Sequence, residues 1–288
     1  MRARLGREAK WGIRRGLAGA LVLAAGLALA PGALADVTRS TNWAGYAIHR
    51  AGVSFHRVSA SWIQPNATCT PGKPSYSSAW VGLGGYSPVS SALEQIGTEV
   101  DCNGAGKVVS SAWYELVPAP SKTISLVVAP GDAVHATVTV TGHRVVVELQ
   151  NLTRHRRFRK TLHSPAIDVS SAEWILEAPS ECVSQFSCQA LPLANFGSIT
   201  FGSASASASQ GRAGTIAGGG WTRTKIKLTP GAQRLIVARN SSDTAGTAVP
   251  SALRRGGSSF DVRFATAPVH AGPGLARDSR VRAGYIEH

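Results

Sequence analysis

Residues 123–149 read TISLVVAPGDAVHATVTVTGHRVVVEL. Three β-branched runs lie within them, at 123–128, 133–140 and 144–149, divided by Pro130-Gly131-Asp132 and Thr141-Gly142-His143. Branched side chains suit a pleated surface, while Gly, Pro and Asp supply turn geometry, so the stretch predicts successive antiparallel strands. The same grammar extends both ways. Residues 58–62 alternate and stop before Pro65, and residues 107–117 are strand-like up to Pro118. Further strands are predicted at 172–176, 198–201, 222–228, 233–238 and 259–264. No long helical period appears after Asn42. The fold class expected is all-β, an antiparallel two-sheet β-sandwich.

Two stretches fall outside this pattern. Residues 202–220, with SASASASQG and a GGG run, lack large apolar side chains and read as a Gly/Ser/Ala-rich loop. Residues 265–288 mix glycine, proline and arginine without period, which predicts a peripheral or disordered tail. The N-terminus differs again. Six basic residues precede residue 16, residues 17–30 are LAGALVLAAGLALA, and Ala33-Leu34-Ala35 closes the segment. A basic start, a short apolar middle and an AxA end predict a secretory signal peptide over 1–35. A single β-sandwich domain over 36–264 and an extracellular location follow.

With 43% hydrophobic residues in 288, the chain is too apolar for a disordered protein. Six basic residues and one acidic residue leave with the signal peptide, so the formal +14 becomes +9. A basic surface favours anionic surface polymers as partners. The cluster 154–160, RHRRFRK, lacks any reader motif, reads as a solvated turn between strands, and gives no reason to expect nucleic acid. No second apolar run predicts membrane insertion, and a monomer is the default. Cys69, Cys102, Cys182 and Cys188 allow three pairings, and nearness in sequence favours Cys69–Cys102 and Cys182–Cys188. Paired CxxC, HExxH and P-loop patterns do not occur, so neither metal nor cofactor is expected.

Chemistry must then come from side chains. Glu94 and Gln95 sit in ALEQIG, with Glu99 just after; Glu115 sits in WYEL; Glu173 and Glu177 sit in AEWILE. In a strand, 93, 95, 97 and 99 share one face, as do 173, 175 and 177. Carboxylates among tryptophans and branched residues are costly to bury and acquire raised pKa values, the environment of acid–base catalysis. A secreted carbohydrate-active or carbohydrate-binding sandwich, with Glu173 paired to Glu99 or Glu115, is a second reading.

Taken in order, these segments resemble the glutamic peptidases, or eqolisins. The resemblance runs through NWAGY at 42–46, VSASWIQP at 58–65, SAWVGLGG at 78–85, ALEQIGTE at 92–99, WYE at 113–115, VELQNLT at 147–153, AEWILE at 172–177 and the closing segment 250–260. It implies a sandwich with a concave substrate groove and a secreted, metal-independent endopeptidase for polypeptides, working at acidic pH. The implied catalytic pair is Gln95 and Glu173, with Trp43, Trp80, Glu99, Trp113 and Glu115 in or beside the groove. In this family's chemistry Glu173 serves as general base and then acid, while Gln95 orients water and stabilises the oxyanion. Gly84 and Glu99 depart from the family pattern, which usually has aspartate at both positions.

Overall fold

A computed structural model describes residues 36–184, 187–229, 246–266 and 285–287; of 182–184, 187–189 and 285–287 it describes the backbone. The first strands are β1 (Asp36–Ser40), β2 (Trp43–His49), β3 (Phe55–Ile63), β4 (Ser78–Gly84), β5 (Leu93–Cys102) and β6 (Val108–Val117). Then come β7 (Lys122–Ile124), β8 (Ala133–Thr141), β9 (Arg144–Asn151), β10 (Arg156–His163), β11 (Ser171–Glu177), β12 (Ser180–Ser184) and β13 (Ser187–Ala190). The chain continues through β14 (Ser198–Ala208), β15 (Ala213–Gly214), β16 (Thr222–Leu228), β17 (Thr247–Pro250), β18 (Phe260–Ala265) and β19 (Tyr285–Glu287). Among the described residues the only helix is a 3-10 turn at Arg255–Gly257. The protein is all-β and mainly antiparallel, as the sequence predicts.

One ladder of 16 strands runs β10-β9-β8-β3-β14-β18-β17-β16-β2-β11-β4-β5-β6-β7, with β1 parallel on β16 and β15 on β14. β14 is the joint. Its first half pairs with β18 and its second half with β3, across a register shift between Gly202 and Ser205. The ladder doubles back on itself at this joint, so β3 packs over β4 and β11. Two indoles pin the contact: Trp174 donates to the Ser59 carbonyl at 2.9 Å and Trp62 to the Thr98 hydroxyl at 3.0 Å. Around them Tyr46, Phe55, Phe201, Phe260 and the inward valines of β8 and β9 form the main core. Burying each such side chain contributes roughly 1.5–3 kcal/mol.

Three sequence expectations need correction. Residues 202–208 are not a loop but the second half of β14, where Ser and Ala alternate and Ala204, Ala206 and Ala208 are buried. Residues 125–128 are not a strand. Leu126 and Val128 are buried and Val127 is 66% exposed, so the alternation reports burial without a ladder partner. A local network replaces the ladder: Asp132 accepts from the Ala129 amide at 2.9 Å, Asn151 at 2.8 Å and Arg154 at 2.6 Å. The basic cluster is not all turn either, since Arg156 onward forms β10, an exposed edge strand. Cations along an edge discourage pairing with another chain.

The expected strand at 233–238, the 1–35 segment and residues 267–284 of the tail lie outside the described residues. Tyr285–Glu287 pairs with β12, so these residues are strand rather than unstructured tail. Among the described residues no helix is long and apolar enough to cross a membrane.

Cys69 and Cys102 form a disulfide, as nearness in sequence favoured. Cys182 and Cys188 face each other in the β12–β13 register, though their side chains lie outside the described residues. The Cys69–Cys102 bridge closes a loop with a sequence separation of 33. Opening it by Cys69→Ala/Cys102→Ala is expected to cost about 3–4 kcal/mol through the entropy returned to the unfolded chain. Urea unfolding of the paired variants measures it; equal midpoints would contradict the expectation.

Candidate active site

The hexapeptide Ala172–Glu177 divides cleanly between two faces. Ala172, Trp174 and Leu176 enter the main core, so Glu173, Ile175 and Glu177 must point the other way. The same alternation in β2, β4, β5 and β6 builds three residue rows on that second face. The first row runs Thr224, Ala47, Glu173, Gly82, Gln95, Glu115. The second carries Ile175, Trp80, Gly97 and Trp113. The third carries Trp43, Glu177, Ser78, Glu99 and Ser111. All seven residues that the resemblance places in the site therefore converge on one face from five strands.

Gln95 and Glu173 flank Gly82 in register, two strand spacings apart, or about 9–10 Å between backbones. Gly82 itself projects no side chain between them. An added β-carbon on Gly82 would lie 2.9 Å from Leu93, 3.0 Å from Trp80 and 3.3 Å from the Gln95 side chain. The glycine thus lets the Leu93 and Trp80 side chains close over β4 between the two groups.

The floor and walls are aromatic. Trp43, Trp80, Trp113, Leu93, Ile175 and Ile226 belong to a second apolar cluster, separate from the main core. Trp43 and Trp80 meet edge to face, with centroids 5.0 Å apart. Each buried indole N–H needs an acceptor. Trp80 donates to Glu177 at 2.7 Å and Trp113 to Ser78 at 2.9 Å. Asn42 also donates to Glu177 at 2.9 Å, a role the sequence did not announce. Glu177 therefore holds an indole in place, and Glu99 accepts from Ser111 at the rim.

Polar partners separate the acids by role. Glu115 accepts from Gln95 Nε2 at 2.6 Å, which fixes the amide and turns Oε1 away from Glu115. Glu173 is fully buried, and neither of its oxygens receives a hydrogen bond of good geometry among the described residues, the Ser171 hydroxyl being its one nearby donor. Burial drives its pKa well above the ordinary carboxyl value; the Ser171 hydroxyl opposes this, and the charges of Asp168 and Glu94 add to it. Glu94 faces the opposite side, between Leu83 and Leu116, where burial pushes it up to about 9.

The profile of the Peptidase A4 family matches residues 41–249, which spans the whole of this site. The chain belongs to the Peptidase A4 family. Membership makes it a glutamic-type peptidase, a metal-independent hydrolase acting on polypeptides, and the carbohydrate-active reading gives way. Solved structures of Peptidase A4-like enzymes share the fold. Scytalido-glutamic peptidase, crystallised with a transition state analog inhibitor, superposes with a TM-score of 0.61 at 24% identity over 78% of this chain and 98% of that one. SCP-B, an eqolisin in complex with the tripeptide Ala-Ile-His, gives 0.59 at 22% identity with the same coverage. No curated protein matches by sequence.

Proposed function

We propose that Gln95 and Glu173 are the catalytic pair of this peptidase, acting on a polypeptide bound at the face they share. The observation that carries the reading is their shared register on either side of a residue with no side chain. Ionised Glu173 takes a proton from the attacking water and returns it to the departing amine. Gln95 Oε1 orients that water. Gln95 Nε2, which donates to Glu115, also supplies the donor to the tetrahedral oxygen. The concave face of a two-sheet sandwich, formed by the folded-back ladder, is the substrate groove.

A general base must be charged to act. Because burial raises the Glu173 pKa, the active form accumulates with rising pH, and the acid limb lies above the ordinary carboxyl range. The acidic optimum implied by the resemblance shifts accordingly toward neutrality. Residues 1–35 serve export, leaving the domain over 36–264 as a secreted, monomeric enzyme. The basic edge strand β10 suits contact with anionic surface polymers.

The test is peptide cleavage from roughly pH 2 to 8 in the presence of a chelator or an aspartic-peptidase inhibitor. Cleavage untouched by both, with kcat/KM rising along a limb above the ordinary carboxyl range, is expected. A folded but inert protein would sink the assignment. A limb that falls over the same range would show Glu173 acting in its protonated form.

A further inference from the structure

Beside the first row, one turn of chain takes the place of a missing side chain. Gly84 ends β4 with φ +85°, and an added β-carbon there would meet Asp168 at 2.5 Å from its carbonyl oxygen and 2.6 Å from its Cβ. Asp168 thus occupies the volume that any side chain at 84 would claim. It lies next to the row of Gly84, Leu93 and Val117, two residues along the strands from Gly82 and Gln95.

Its carboxylate binds three segments at once. Oδ2 accepts from the Gly85 amide at 3.1 Å and from the Ser90 hydroxyl, and Oδ1 accepts from the Ser170 amide at 2.8 Å. Gly85 follows β4, Ser90 leads into β5, and Ser170 leads into β11. These are the three strands that carry Gly82, Gln95 and Glu173. Three donors on one carboxylate keep it ionised. Burial alone would raise its pKa, yet the hydrogen bonds from Ser90, Ser170 and Gly85 outweigh burial and lower it.

We propose that Asp168 is the positioning residue of the Gln95–Glu173 pair, clamping the ends of β4, β5 and β11 and holding a fixed negative charge beside Glu173. The proposal rests on the catalytic reading above. The neighbours of Glu173 leave this charge a clear influence. β4 and β2 flank it with Gly82 and Ala47, Thr224 of β16 lies beyond Ala47, and Glu115 on β6 is engaged by Gln95. On β2, His49 stacks on Tyr86 and is held toward its neutral form by burial, against the opposing charge of Asp36. Of the two acids that act on Glu173, burial pushes Glu94 on β5 up to about 9 and so keeps it protonated, which leaves Asp168 as the negative charge. His143 shares with Asp168 the lining of a cavity of about 580 Å³.

Two variants of the full chain separate charge from clamp. Asp168→Asn keeps the shape and removes the charge, so the Glu173 midpoint should fall by about one pH unit. The midpoint is read by carboxyl difference infrared against Glu173→Gln, and also from the acid limb of kcat/KM. Ser90→Ala removes one donor and keeps the charge, so kcat should fall about tenfold with KM and midpoint little changed. A midpoint unmoved in Asp168→Asn, or a lower melting temperature as the sole effect of both variants, overturns the proposal. The infrared midpoint needs no turnover. An inert wild type would therefore sink the peptidase assignment while the Asp168 charge is still decided.

Discussion

Glu173→Gln is expected to lower peptide turnover roughly 10²–10⁴-fold, the usual worth of a general base, while making the folded protein more stable at neutral pH. The two effects have one origin. Glu173 is buried with no hydrogen bond of good geometry, and the nearby Ser171 hydroxyl does not offset burial, so its charged form is destabilised in the folded chain relative to water. Its folded pKa stands above the unfolded one. The folded state therefore binds the proton more tightly, and stability from this group is fully present below the ordinary carboxyl value. That stability is lost as pH rises from there through the raised pKa. Glutamine is neutral throughout and nearly isosteric, so the variant lacks this decline and gains roughly 1 kcal/mol or more at neutral pH. Glu94 contributes a decline of the same sign in both proteins, with its pKa pushed up to about 9. The difference between the two stability curves isolates Glu173. Denaturant melts at about pH 4 and about pH 8 measure it. A variant less stable than wild type at the higher pH would mean that the carboxylate has a partner and is held ionised.

Much of this site is legible as alternation. AEWILE and LEQIG each place every second residue on one face, and strand pairing then brings those faces together. Gly82 was not singled out in the sequence, and its place between the pair comes from strand register. Alternation failed where its assumptions fail. SASASAS alternates, but its small residues hide the signal that a hydrophobicity criterion looks for, and so it read as a loop. Residues 123–128 alternate in burial, yet beyond Ile124 no neighbouring strand is available, and Asp132 takes up local amides instead. Asp168 was invisible for a different reason. The gap at Gly84 can be read from the chain, but what fills it comes from a loop 84 residues later, through contacts that no spacing rule encodes.

Gln95 carries the second large effect. Gln95→Ala should lower kcat about 10²–10³-fold by removing the oxyanion donor. It leaves the fold intact, because the amide's partner Glu115 can be reached by water entering the vacated volume. Gln95→Glu should behave differently. It sets a carboxyl where Nε2 now donates to Glu115 at 2.6 Å, and across Gly82 from Glu173. Three carboxyls in one row cannot all ionise, so protons are shared and each loss of a proton raises the pKa of the others. At neutral pH the substituted site has no dependable donor for the tetrahedral oxygen, and turnover should fall below that of the alanine variant. As pH drops, one carboxyl stays protonated and can donate where the amide did. Activity of Gln95→Glu relative to Gln95→Ala should therefore rise toward acid. A neutral amide supplies the same donor at every pH, which is the physical reason for pairing glutamine with a single ionisable base. If the ratio of the two variants stays flat with pH, Gln95 does not face the developing charge, and its place in the row is structural.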